Sequence, residues 1–294
     1  MEREIEYGKA EVSVYRTYAE PLAVTPIPES SFTGRDNALL AALVDVRVLG
    51  EGFLAAYTEG DNTNVVATDT MKNFVYAMTL EYAGATIEGL AAFLARRFLI
   101  TYPQMETLEI TVREQSFLRA GTALFDRSRD DTSIARVRAR REDGEPVVTE
   151  AESGREDVRL VKLTGSSFAR FARDDYTTLP ETVDRPLFVH LDVHWRYGDL
   201  AAGLGADPEA YVHADQIRDL VRHTFDDFNS RSIQHLVDEM GRRILARLTQ
   251  LAEVRFAAQN RTWETAATSP TNERVKVYTD PHATYGKIGL VLRR

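Results

Sequence analysis

Apolar residues in the first half of the chain recur with two periods, one typical of β-strands and one typical of α-helices. Alternation predicts four strands, at residues 10–18, 39–57, 108–112 and 134–140. Gly50 and Gly52 interrupt the second strand, as a turn or bulge would. Helical spacing predicts helices at 68–82 and 87–102, and Thr86 can N-cap the second of them. This half therefore has the predicted order β-β-α-α-β-β.

The second half of the chain repeats this order. The polar, turn-forming stretch RREDGEP (140–146) separates the halves, so we predict domains at 1–143 and 144–294. Helical and alternating patterns predict two helices and four strands, at 214–228 and 233–248, and at 158–171, 186–197, 254–258 and 287–292. Strands that flank a helix pair predict an α+β fold, in which each half forms an antiparallel sheet with helices on one face. The open sheet edges favour pairing between subunits, so we expect a closed homo-oligomer.

The overall charge restricts the classes of partner. The 294 residues include 36 Lys and Arg against 45 Asp and Glu, for a formal net charge of -9. This balance argues against nucleic acid or an anionic membrane as the main partner, although one local arginine can still bind a small anion. No segment approaches the roughly 20 apolar residues of a membrane span. Without an apolar signal core or a terminal Ser-Lys-Leu peroxisomal signal, we expect a cytoplasmic protein.

No cofactor motif stands out in the sequence. The chain has no cysteine, which excludes thiolate catalysis and cysteine-based metal sites. Glycine-rich nucleotide-binding motifs are absent. His190 and His194 are four residues apart, but they lie on a predicted strand, where that spacing does not form a helical metal pair. We therefore predict neither a metal nor an organic cofactor.

Five segments, in order along the chain, carry a resemblance to the uricase family: YGKAEV (7–12), GDNTNVVATDTMKN (60–73), RDDYTTLPETVDRPL (173–187), SIQH (232–235) and QNRTW (259–263). The chain is most similar to the bacillus-like branch, on the segments RTYAEPL, IPESSFTGRDN, YGDL and VYTDP. The resemblance implies a tandem T-fold (tunnelling fold) and a homotetramer with active sites between subunits. It also implies a cofactor-independent urate oxidase, which converts urate, dioxygen and water to 5-hydroxyisourate and hydrogen peroxide.

Urate is a planar anion, so its site needs an aromatic face, a cation with forked donors and an amide. On the family motifs, Phe168 would stack on the purine and Arg185 would donate a bidentate pair. Gln234 would complete the clamp, and Ile233 would donate its backbone N–H. Taken alone, Phe168 would more often be a core residue, Arg185 a solvated or ion-paired one and Gln234 an ordinary polar position.

A second cluster on the family motifs is Lys9, Thr68 and Asp69. Urate must lose a second proton before it can reduce dioxygen, and a lysine can accept a proton only where burial or a nearby cation lowers its pKa. Lys9 would draw the proton through the Thr68 hydroxyl, and Asp69 would bind urate through its backbone N–H. The segment TDTMKN also favours an ordinary helix N-cap.

The last assigned residue is Asn260, which in the family holds dioxygen or a catalytic water above urate. Many uricases have a lysine and then a histidine after this asparagine, whereas this chain has Arg261 and Thr262. Thr262 would replace the histidine as a passive proton relay, and His235 is near the motif in sequence only. The departure leaves an alternative, a catalytically weak purine-binding homologue. A T-fold enzyme acting on pterins or GTP is a further alternative, but several of those need zinc held partly by cysteine.

Overall fold

The computed structural model describes residues 3–127, 131–205 and 207–294. The first half contains, in chain order, β1 (Glu6–Thr17), β2 (Leu22–Ala23), β3 (Gly34–Arg35), β4 (Leu39–Leu49), α1 (Leu54–Thr58), α2 (Thr68–Glu81), α3 (Ile87–Thr101), β5 (Thr107–Glu114), β6 (Phe117–Arg119), β7 (Phe125–Arg127) and β8 (Thr132–Glu142). The second half contains β9 (Glu145–Lys162), β10 (Leu187–Tyr197), a 3-10 helix (Ala202–Leu204), α4 (Ala214–Asp227), α5 (Ile233–Arg247), β11 (Leu251–Arg261), β12 (Thr265–Thr268), β13 (Lys276–Tyr278) and β14 (Gly286–Arg293).

Eight long strands form one antiparallel sheet, in the order β1-β4-β5-β8-β9-β10-β11-β14. Each half contributes four neighbouring strands and two long helices, which is the predicted β-β-α-α-β-β order. The halves join at the β8–β9 hairpin, whose turn residues Asp143 and Gly144 have φ angles of 50° and 90°. Aspartate and glycine tolerate this left-handed backbone, and such turns match the strand twist. The proposed division at 143/144 falls in this turn.

One face of the sheet is apolar because alternate side chains of each strand point toward the helices. Buried β4 residues such as Val44, Val46 and Val48 face α2 and α3, whereas Asp45 and Arg47 face the other side. A second core lies under α4 and α5, where Trp195 of β10 is fully buried. Burying each of these side chains contributes about 1.5–3 kcal/mol, so the helix-covered face holds the fold together.

Local sequence explains where two of the helices begin. The Thr86 hydroxyl accepts the Gly89 N–H at 3.0 Å and caps α3, as predicted. The Ser232 hydroxyl accepts the His235 N–H at 3.1 Å and caps α5. Within the described ranges, no helix is long and apolar enough to cross a membrane.

Three sequence predictions are wrong in detail. The strand predicted at 158–171 is β9, which begins at Glu145 and ends at Lys162. Polar residues such as Thr149 and Glu150 interrupt the apolar pattern in its first half, although Val148 lies in the core. The strand predicted at 39–57 ends at Leu49, and the short helix α1 follows. Thr68 does not cap α2, because it is the first helical residue and Ala67 occupies the cap position.

Candidate active site

The segment between β9 and β10 brings Phe168 and Arg185 together. The backbones of Phe168 and Thr182 exchange two hydrogen bonds, of 2.8 and 2.9 Å, and the Arg185 N–H donates to the Ser166 carbonyl at 2.9 Å. The Ser167 N–H donates to the Ser230 carbonyl at 2.8 Å, which ties the same segment to the loop before α5. These bonds place Phe168 and Arg185 beside the start of α5.

Arg185 is a half-buried cation that no acidic side chain of the described residues pairs with. Its guanidinium carbon lies 5.6 Å from the centroid of the Phe168 ring, and Phe171 stacks on that ring at 4.9 Å. In the described part of the chain, Arg185 forms no ion pair, and its Nε is buried without a hydrogen-bond partner. Burial lowers the pKa of Arg185, although a guanidinium stays charged at neutral pH. A planar anion would supply the missing acceptors.

The start of α5 adds backbone donors to this site. Ile233 is 4% exposed and anchors the first turn in the core, whereas Gln234 is exposed. Because the first N–H groups of a helix have no partner within it, the N–H groups of Ile233 and Gln234 are available to an acceptor. The positive end of the helix dipole favours an anion there.

Asn260 and Thr262 share a cavity with Arg185. Asn260 lies on β11, opposite Val189 of β10. The cavity has a volume of about 510 Å³, and its other lining residues include Thr182, Phe188, Trp263 and Tyr278. The Thr182 hydroxyl and the Trp263 indole N–H, which sequence reasoning did not select, are buried without hydrogen-bond partners among the described residues. Their positions inside two family segments were the only signal. Phe168 and Gln234 lie outside this cavity's lining.

Lys9, Thr68 and Asp69 form a separate cluster. Lys9 is half-buried on β1, opposite Val46, and its charge helps to lower the pKa of Asp69. The larger cause of that lowering is the Lys72 ammonium, which lies 2.5 Å from the Asp69 carboxylate. The carboxylate is therefore held by its own helix. The exposed Thr68 and Asp69 start α2, so their backbone N–H groups are free of helical partners.

The two clusters do not meet within one chain. Lys9 lies on β1, at one edge of the sheet, and four strands separate β1 from β10. At the usual strand spacing, this separation is roughly 24 Å along the sheet. Among the residues that the structure describes, no group of three His, Asp or Glu side chains is placed to hold a metal ion.

A buried junction between the halves contains a network of charged residues. The Glu88 carboxylate, in the first turn of α3, accepts hydrogen bonds from the Tyr211 hydroxyl at 2.8 Å and the Ser153 hydroxyl at 2.9 Å. Burial raises the pKa of Glu88 to about 7. Arg155 of β9 is buried and pairs with Asp215, the second residue of α4, at 3.1 Å. All of these groups find partners within the chain.

A matching pair of β-bulges relates this junction to the predicted site. The N–H of Glu11 (φ 56°) donates to the Asp45 carboxylate at 2.7 Å, and the N–H of Asp157 (φ 59°) donates to the Asp192 carboxylate at 2.9 Å. The two strands are therefore in equivalent register. Two residues before each bulge stands a basic residue, opposite Val46 in one half and Val193 in the other. Lys9 is thus the counterpart of Arg155.

Three further predicted site residues have counterparts at the junction. Each counterpart holds the same helix or ladder position in the opposite half: Asp69 matches Asp215, Gln234 matches Glu88, and Asn260 matches Glu114. Arg155, Asp215 and Glu114 line one cavity of about 420 Å³ between the halves. Lys9, Asp69 and Asn260, which belong to two separate clusters in this chain, thus have counterparts that line one cavity.

Comparison with known proteins gives a consistent result. The family model described as Uricase matches residues 5–143 and 151–289. The uricase of Haloferax volcanii is 47% identical over 270 residues, covering 87% of this chain and 88% of the relative. The uric acid degradation bifunctional protein PucL of Bacillus subtilis is 43% identical over 97% of this chain, which spans only 60% of that protein. The crystal structure of urate oxidase from Bacillus sp. TB-90 superposes with a TM-score of 0.95 at 41% identity, covering 99% of this chain and 100% of that one.

Proposed function

This chain belongs to the uricase family, in the bacillus-like branch, and from that membership we propose the reaction that it catalyses. Its fold is the tandem T-fold of that family. Urate, dioxygen and water give 5-hydroxyisourate and hydrogen peroxide, so urate loses two electrons and dioxygen gains two. No organic cofactor or metal is needed in this proposal, because a urate dianion is electron-rich enough to reduce dioxygen.

One observation carries the proposed urate clamp: the half-buried Arg185 guanidinium, which has no carboxylate partner among the described residues. Urate would receive two parallel hydrogen bonds from Arg185 and stack on Phe168. The Gln234 amide and the Ile233 N–H would bind its other edge, at the positive end of α5. Groups committed in this way would discriminate against purines that leave them unpaired.

The proposed chemical step uses the other cluster and Asn260. Lys9 would accept the second urate proton through the Thr68 hydroxyl, which can donate and accept at once. The Asp69 N–H would bind urate, and the pairing of the Asp69 carboxylate with Lys72 supports this backbone role. Asn260 would hold dioxygen or water above the purine. Thr262, beside Asn260 on the cavity wall, would relay a proton without titrating.

The internal duplication supports an active site shared between subunits. If β14 of one chain paired with β1 of the next, the contact would repeat the β8–β9 junction. In the duplicated order of the sheet, β14 is the counterpart of β8 and β1 is the counterpart of β9. Gln234 and Asn260 of one subunit would then meet Lys9 and Asp69 of the other, as Glu114 shares a cavity with Arg155 and Asp215 within the chain. Such pairing would also remove both open sheet edges. We propose a homotetramer with these sites, located in the cytoplasm.

The direct test is urate turnover after exhaustive treatment with a metal chelator. Loss of urate absorbance should be accompanied by one hydrogen peroxide per urate, at the rate measured before chelation. Binding of 8-azaxanthine without turnover would instead support a catalytically weak purine-binding homologue. Activity that disappears on chelation and returns with one added metal would contradict the cofactor-free mechanism.

A further inference from the structure

Asp184 precedes Arg185 in the chain but does not pair with it. Its carboxylate accepts the Thr164 hydroxyl at 2.6 Å and the Gly165 N–H at 2.8 Å. These bonds, led by that from the Thr164 hydroxyl, lower the pKa of Asp184, so it is ionised at neutral pH. Gly165 has a φ of 80°, a left-handed backbone that favours glycine. The turn therefore uses a residue that adopts this backbone without strain, and the Asp184 carboxylate bonds to both Thr164 and Gly165 within it.

This turn leads directly into the residues of the clamp. After Gly165, the Ser166 carbonyl accepts the Arg185 N–H, and Phe168 exchanges two backbone hydrogen bonds with Thr182. The Asp184 carboxylate thus closes a small ring of contacts whose two sides carry Phe168 and Arg185.

We infer that Asp184 is a positioning residue, which holds the Gly165–Phe168 segment against Arg185 so that urate meets a preformed aromatic and cationic clamp. The inference rests on the proposed function, because urate is the ligand of that clamp. Preorganisation raises affinity because the ordering of the loop does not have to occur on binding. A small misplacement of such groups also lowers turnover.

The charge of Asp184 by itself predicts the opposite effect on urate affinity. The direction of the change in affinity therefore tests the inference. An ionised Asp184 next to Arg185 repels the urate anion, so removal of its charge would by itself tighten binding. If positioning dominates, Asp184→Ala weakens binding despite the lost repulsion. Asp184→Asn should behave like the parent or bind more tightly. Its amide oxygen can accept the Gly165 N–H, and its NH₂ can donate to the Thr164 hydroxyl.

The experiment compares these two variants with Asp175→Ala. Asp175 is an exposed aspartate of the same loop, and its carboxylate makes no hydrogen bond or ion pair with the described residues. For Asp184→Ala we expect the 8-azaxanthine Kd and the urate KM to rise about ten- to a hundredfold, with an unchanged Tm. Asp184→Asn and Asp175→Ala should stay within about twofold of the parent or bind more tightly. A lower Tm with unchanged Kd would indicate a merely structural role and overturn the inference, as would tighter binding by Asp184→Ala.

Amide hydrogen exchange supplies a readout that does not depend on urate. In the ligand-free protein, the peptide spanning residues 164–171 should exchange faster in Asp184→Ala and at the parental rate in Asp184→Asn and Asp175→Ala. Unchanged exchange in Asp184→Ala would overturn the inference. A parent that neither binds nor oxidises urate would refute the proposed function, and the exchange comparison would still decide whether Asp184 holds the segment.

Discussion

Two helix starts in this protein have nearly the same local sequence and opposite surroundings. α3 begins Thr86-Ile87-Glu88, and α5 begins Ser232-Ile233-Gln234. Both caps accept the N–H of the third helical residue, and both isoleucines are 4% exposed. Glu88 is buried and accepts hydrogen bonds from Tyr211 and Ser153, whereas Gln234 is exposed.

The starts of the other two long helices, α4 and α2, show the same contrast between a buried and an exposed start. α4 starts at a capping box in which the His213 imidazole accepts the Asp215 N–H, and Phe32 stacks on that imidazole at 4.2 Å. Burial, with a smaller contribution from Arg35, lowers the pKa of His213 to about 3, so it remains a neutral acceptor. α2 starts at Thr68 with no side-chain cap and is exposed.

Each half therefore has one closed and one open helix start. The closed starts, of α3 and α4, lie at the junction between the halves, and carboxylates of the same chain occupy the space in front of them. The open starts, of α2 and α5, carry Thr68, Asp69, Ile233 and Gln234 of the predicted site. The two kinds of helix start are therefore equivalent by duplication but differ in whether their backbone donors are left for a ligand.

The largest expected effect comes from Lys9, which is the counterpart of Arg155 and which we propose as the general base. Lys9→Met should lower kcat by about 10²- to 10⁴-fold, the usual range for loss of a general base, with little change in the Kd of 8-azaxanthine. Steady-state kinetics and titration calorimetry separate the two. Parental turnover in Lys9→Met together with an inactive His235→Ala would reassign the base to that histidine.

Next in size is the effect of removing the Arg185 guanidinium. Arg185→Ala should weaken 8-azaxanthine binding by about 2–5 kcal/mol, because it strands a desolvated anion. Arg185→Lys should recover little, since a point charge cannot reproduce the guanidinium fork. Arg170→Ala is a matched control, because Arg170 is an exposed arginine of the same loop. Near-parental binding by Arg185→Ala would show that the clamp lies elsewhere.

At the buried junction between the halves, Glu88 makes the free energy of unfolding depend on pH. Its folded pKa of about 7 exceeds the ordinary glutamate pKa of 4.5, so the folded state binds the proton more tightly. Stability from this group is fully present below about pH 4.5 and is lost as the pH rises toward 7, by about 3 kcal/mol in all. Glu88→Gln should remove this loss and be the more stable protein at pH 8 in urea denaturation.

The control for this effect is Glu59→Gln, which changes an exposed glutamate. It should follow the parental pH dependence throughout. An unchanged pH dependence in Glu88→Gln would mean that Glu88 titrates normally and that the junction is more hydrated than its burial indicates.

The smallest effect is expected at Thr262, where the chain departs from the common family pattern. Thr262→Val keeps the shape and removes the hydroxyl, and it should lower kcat less than Lys9→Met does, by roughly tenfold or less. A loss in Thr262→Val equal to that in Lys9→Met would make Thr262 an obligatory proton carrier. Single-turnover kinetics with saturating urate measures both.

Periodicity was sufficient to predict the long helices, because each has an apolar stripe that faces the sheet. It failed for the first half of β9, whose open-face residues are polar, and for the N-cap at Thr68, which depends on one residue of register. Phe168 and Arg185 are 17 positions apart and are joined only by loop hydrogen bonds, so residue patterns alone could not select them. The family segments did. The Glu88 and Arg155 network needs tertiary contacts and was not predicted.

Mixing two inactive variants tests the shared site most directly. Thr68→Ala damages the open start of α2, and Arg185→Ala damages the clamp beside the open start of α5. If each site takes its parts from two subunits, subunit exchange between the two proteins creates some interfaces with both parts intact, and urate oxidation should reappear. If each site lies within one chain, every chain in the mixture carries a defect. No recovery of activity, with exchange proven by mass-labelled subunits, would contradict the account.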